Sequence, residues 1–209
     1  MFTRVFHYYW ELIANQRRWF FAVAIIFIFG IASGVLTRGI TPNLFDTFEG
    51  MFKDIMGDSF TLDIPMALKI FTNNTTASLM MIFGGMLFGI IPFLSVLFNG
   101  FIIGYIVTES FFAFPMNVFK TAYLTFATIV PHGIFEIPAV LFSATLGLRF
   151  GIEWMQKGSA SKRGEIFRKN FISALLFLPL LIIILFIAAF IEIFISSKIG
   201  FMLTSMIRS

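Results

Sequence analysis

Ile70 to Thr108 is a stretch without one charged side chain. As a single helix it would be roughly 58 Å long at 1.5 Å per residue, against a hydrocarbon core of about 30 Å. It must cross a bilayer twice, and Pro92, after "GGMLFGII", is the natural turn. This predicts spans over 65–91 and 92–110. Trp19 to Thr37, closed by Arg18 and Arg38, and Phe171 to Ile191 are further uncharged runs of span length. With 58% hydrophobic and only 12% charged side chains, a 209-residue chain could not hide its apolar surface from water. The sequence predicts an all-α, polytopic helical membrane bundle, forming one domain over 1–209. The first run is too long for a signal-peptide core and lacks a small-residue cleavage site, so it is expected to stay as an anchor.

Basic residues give the orientation. The leader, residues 1–18, mixes Arg4, Arg17 and Arg18 with Tyr8, Tyr9 and Trp10, a composition suited to the membrane interface. The loop 156–170 carries Lys157, Lys162, Arg163, Arg168 and Lys169, whereas 38–63 is net acidic. Both basic segments are expected in the cytoplasm, in the cell membrane, with the acidic segment outside. Three spans lead from the leader to Ser110, so Thr121 to Leu148 must add one net crossing. That run contains "IVPHGIFEIPAV", with Pro131, Gly133 and Pro138. It is expected to enter as a re-entrant or broken half-helix over about 120–130, turn at Pro131–Gly133, and cross from Ile134. The result is about five full spans, one half-helix, and an amphipathic extramembrane helix over 44–56. On that helix Leu44, Phe45, Phe48, Met51, Phe52, Ile55 and Met56 share a face opposite Asp46, Glu49, Asp54 and Asp58. It reads as a lid on its own bundle or as a surface for partners or lipid.

Glycine pairs four apart occur in four spans: Gly30/Gly34, Gly85/Gly89, Gly100/Gly104 and Gly147/Gly151. Such spacing lets helix backbones approach closely, within the bundle or between copies. Polar groups at depth are costly and therefore informative. Counting rise from inner ends at Pro92 and Met155 puts Asn74 and Glu109 about 25 Å up, Glu136 about 28 Å up and Asn99 about 10 Å up. Asn74, Glu109, His132 and Glu136 thus form a candidate polar layer in the outer half, with Asn99 below it. Three readings compete. The groups tie down a helix break, carry a proton or ion, or form a metal or hydrolytic centre. The last is weakest: the only other histidine is His7, HGIFE is not the HExxH pattern, and no GxSxG is present. No catalytic residue, metal site or cofactor is expected. Cysteine is absent, which excludes thiolate chemistry, and no nucleic-acid motif is found.

"FTNNTTASL" (71–79), "GGMLFG" (84–89), "LFNGFIIG" (97–104) and "PHGIFEIPAVLFSATLGLRFG" (131–151) together resemble the stage II sporulation protein M family of integral membrane proteins. The matching positions are Asn74, Asn99, Gly100, His132, Gly133 and Glu136. The resemblance implies a multi-span helical protein without established enzymatic activity. In its sporulation member the role is that of a scaffold recruiting peptidoglycan-remodelling partners. The leading expectation is therefore a scaffold or complex subunit, contacting lipid, other membrane or envelope proteins, or further copies of itself. The alternative is a proton-linked transporter or channel component using Glu136.

Overall fold

The computed structural model describes residues 9–56, 60–113, 117–155 and 163–208, and every element among them is helical. Residues 1–8 of the leader and 156–162 of the basic loop lie outside the described residues, with His7, Lys157 and Lys162. The elements are α1 (Arg17–Ile40), α2 (Leu44–Met56), α3 (Ile64–Gly84), α4 (Ile90–Ala113), α5 (Val118–Met155), α6 (Arg163–Ile191), a π-helical turn (Glu192–Ser196) and α7 (Ser197–Arg208). Among the described residues, four helical stretches are long and apolar enough to cross a membrane: Arg17–Ile40, Ile90–Phe112, Val118–Glu153 and Arg163–Met202. Their outward faces are apolar, as with Phe21, Ile25 and Phe29 on α1 and Phe119 and Phe126 on α5, all exposed. Lipid, not water, suits such a surface. α3 is as long as a span but carries "TNNTT" at its centre, which lowers its hydropathy.

Starts and stops follow local chemistry. Asp63 caps α3 by accepting the Met66 amide at 2.9 Å, and Pro65 occupies its first turn. The turn between α3 and α4 lies at 85–89, where Phe88 and Gly89 take left-handed backbone angles (φ 59° and 73°). It precedes the expected turn at Pro92. That proline sits in the first turn of α4, where its missing N–H costs nothing.

α5 runs unbroken for 38 residues with Pro131 and Pro138 inside it, and Gly133 does not adopt a positive φ. No half-helix turns back at Pro131–Gly133. Within a bundle, neighbouring groups and hydroxyls can compensate for the amides that proline lacks. Thr128 Oγ1 hydrogen-bonds the Leu124 and Thr125 carbonyls one turn before Pro131, at 2.9 and 3.0 Å.

Contacts fix the helix directions. Gly30 meets Leu97 and Gly100, Gly34 meets Phe101 and Tyr105, and Arg38 pairs with Glu109, so α1 and α4 run the same way. Asn74 bonds Glu136 and Gly85 meets Gly147, so α3 and α5 are also parallel. Met81 near the end of α3 packs with Val23 and Phe27 near the start of α1, which sets the two pairs antiparallel. α6 opposes α5, joined to it by Asn170–Glu153 at one end and by His132–Ser196 at the other.

Glycines stand where backbones nearly touch. A Cβ on Gly34 would lie 2.1 Å from the Phe101 carbonyl oxygen, one on Gly104 2.1 Å from Ile31 O, and one on Gly147 2.0 Å from Met81 O. Lipid offers no hydrophobic drive between helices, so this close fit supplies dispersion energy instead. α2 lies on α4: the Phe48 ring meets Phe98, Phe101 and Tyr105 edge-on, while Asp46, Glu49 and Asp54 stay exposed. Tyr105, fully buried, donates its hydroxyl to the Thr41 and Pro42 carbonyls and so holds the α1–α2 turn.

Candidate functional site

The moved α3–α4 turn changes the depth of every polar group counted from it. With α3 ending at Gly84, Asn74 stands about 15 Å above that end, and Asn99 about 14 Å above the start of α4. Glu136 is eleven residues before Gly147, as Asn74 is eleven before Gly85, so it comes to the same level. Asn74 is the middle residue of α3, and Glu136 one of the two middle residues of α5. The polar layer lies at mid-bundle, lower than the sequence reading put it.

These residues line one cavity of about 320 Å³. Asn73 and Asn74 reach it from α3, Asn99 from α4, His132, Gly133 and Glu136 from α5, and Glu192 from the π-helical turn. Its remaining wall is chiefly isoleucine, with Ile102, Ile106 and Ile129 among others. Asn74 Nδ2 donates to Glu136 Oε1 at 3.0 Å. His132 and Glu136, four apart on α5, share a face. His132 Nδ1 lies 3.0 Å from Ser196 Oγ. Donor atoms of His132, Glu136 and Glu192 all lie within 4.8 Å of one another. Asn99 lines the cavity, but its amide donates to the Ser95 carbonyl of its own helix. Gly133 is loosely surrounded, the nearest atom to an added Cβ being Ile137 Cδ1 at 3.5 Å.

Glu109 stands apart. It pairs with Arg38 at the far end of α1, and the Arg38 guanidinium also lies 4.4 Å over the Phe112 ring. Rise counting gives a height but not the side of the helix, and Glu109 faces α1. Of the paired glycines, Gly30 and Gly34 face Gly100 and Gly104, whereas Gly85 and Gly89 face Gly147 and Gly151, all away from the polar cluster.

Sequence reasoning missed Glu192, Ser196 and Asn73. Glu192 follows the last apolar run and reads as the start of a polar tail, but the helix continues past it. The π turn carries an extra residue in its hydrogen-bonded ring, and such turns are frequent at functional sites. A lone carboxylate inside "AAFIEIFIS" was the available signal.

The sequence profile of the Stage II sporulation protein M family matches residues 20–197. An uncharacterized protein of Methanocaldococcus jannaschii is 36% identical over 134 residues, covering 63% of this chain and 71% of the relative. No solved structure matches the chain.

Proposed function

The chain belongs to the Stage II sporulation protein M family of membrane proteins, and from that premise we propose that it is a transporter or channel component whose mid-bundle cavity receives a small cation. The observation that carries this is the convergence of Glu136 and Glu192 on one cavity, at the centre of helices otherwise built for lipid. Intramembrane carboxylates are costly and mark ion or substrate paths by default. The competing role for these groups, securing a helix break, needs a break, and α5 has none. The proposal assigns the chain no reaction.

The topology that goes with it has five crossings, by α1, α3, α4, α5 and α6 with its π turn. The alternating helix directions and the positive-inside rule support it, with the leader and the 156–162 loop in the cytoplasm of a cell whose membrane holds the chain. The test is cation flux in proteoliposomes, with protons, monovalent and divalent ions assayed separately. Glu136→Gln should abolish the flux that the native chain supports while leaving a monodisperse, helical protein. Flux that is absent from the native chain, or equal in the variant, contradicts the proposal.

A second reading is the scaffold, with other membrane or envelope proteins or a second copy as partner. The acidic face of α2, exposed while Phe48 anchors the helix to α4, supports it as an outward docking surface. Charge reversal at Asp46 and Asp54 should then release partners retained in mild detergent, without altering flux.

A further inference from the structure

We propose that the cavity is a binding site for a divalent first-row transition-metal ion, with His132, Glu136 and Glu192 as its protein ligands. The inference rests on the cavity reading above and names the ion. Its basis is geometric. The three donors come from two separate elements, yet lie within 4.8 Å of one another. The donors of one ion bonded at about 2.0–2.2 Å sit about 3–4 Å apart, a closure within reach of carboxylate rotation.

Two further features fit a metal site. Each of two ligands is already held by an outer partner: Asn74 grips one oxygen of Glu136, and Ser196 stands beside His132 Nδ1. An imidazole nitrogen that donates to such a partner leaves the other with its lone pair, the usual second-shell arrangement. The cavity also brings two carboxylates together, and no Lys or Arg is among the described residues that line it. In a low-dielectric interior their repulsion is relieved by a dication placed between them. One imidazole with two carboxylates suits the manganese, iron and zinc class rather than calcium or copper(I), which prefer all-oxygen and soft sulfur ligands respectively. The sequence reading ranked a metal site last because the only other histidine is His7 and HGIFE is not the HExxH pattern. Glu192 supplies the third ligand.

The test uses the full chain, purified in mild detergent, stripped with chelator and titrated with Mn²⁺ and with Zn²⁺. Saturable binding of one ion per chain is expected, with nitrogen hyperfine coupling from His132 in the magnetic resonance of bound Mn²⁺. Glu192→Gln and His132→Gln, nearly isosteric changes, should each abolish saturable binding. Ser196→Ala, which removes only an outer partner, should weaken it by about 10–100-fold. Asp54→Asn, outside the cavity, should bind as the native chain does. A folded native chain with no saturable binding, or with no nitrogen coupling to bound Mn²⁺, overturns the inference whatever the variants do. So does binding that survives in Glu192→Gln. If metal does not bind while another cation still moves in a Glu136-dependent way, the metal inference alone falls. If metal binds but nothing is transported, the transport reading falls and the site stands.

Discussion

Gly34 and Gly133 both sit inside long apolar helices, and their surroundings make opposite demands. At Gly34 a methyl group would run into the backbone of α4, 2.1 Å from Phe101 O and 2.7 Å from Tyr105 N. Backbone cannot rotate away, so Gly34→Ala is expected to cost ~1–3 kcal/mol, read as a lower unfolding midpoint in detergent. At Gly133 the first atom met is a flexible isoleucine tip at 3.5 Å. Gly133→Ala should hold the midpoint or raise it, since alanine is favoured over glycine in helix interiors by roughly 1 kcal/mol. If the two variants behave alike, the packing described for α1 against α4 is wrong. Residues also differ in how visible they were beforehand. Asn74, His132 and Glu136 stand out because each interrupts an apolar run. Glu192 does not, because a polar residue at the end of such a run is ordinary. Only the antiparallel return of α6 carries it back to His132, and that return is a long-range contact with no local trace.

At the scale of elements, α5 is where sequence and structure part most clearly. Two prolines and a glycine within eight residues would end a helix in water, where freed carbonyls turn to solvent. In a bundle the chain has no solvent to turn to, and staying helical satisfies more of the backbone. Pro131→Ala therefore tests the element. In a continuous helix it restores an amide donor, so the protein should fold with an unchanged or higher midpoint and an unaltered cavity. A misfolded or proteolytically open Pro131→Ala protein would show that Pro131 makes a necessary turn. Span existence was legible from charge-free runs, but boundaries moved. The α3–α4 turn falls at Phe88 and Gly89 because their backbone angles define it, and Pro92 only begins the next helix. The π turn escaped notice because one extra residue in a helix leaves the apolar pattern almost unchanged.

For the whole molecule, two parallel pairs, α1 with α4 and α3 with α5, are bound by glycine contacts, and α6 closes the bundle beside α5 and α3. Arg38–Glu109 ties α1 to α4 and Asn170–Glu153 ties α6 to α5 near the ends of the bundle, while Asn74–Glu136 ties α3 to α5 at the central cavity. The proposed topology of five crossings expects residue 54 and residue 162 on opposite sides of the membrane. Because the chain has no cysteine, Asp54→Cys should react with an impermeant thiol reagent from outside and Lys162→Cys only from inside. The reverse pattern would invert the orientation.

The account stands on Glu136 and Glu192 facing each other across the cavity. Replacing both in one chain, Glu136→Cys with Glu192→Cys, and adding a short bifunctional thiol reagent measures this directly. Efficient intramolecular cross-linking is expected, with little in a Glu109→Cys, Glu192→Cys control. Equal cross-linking in the two, or none in the first, would contradict it.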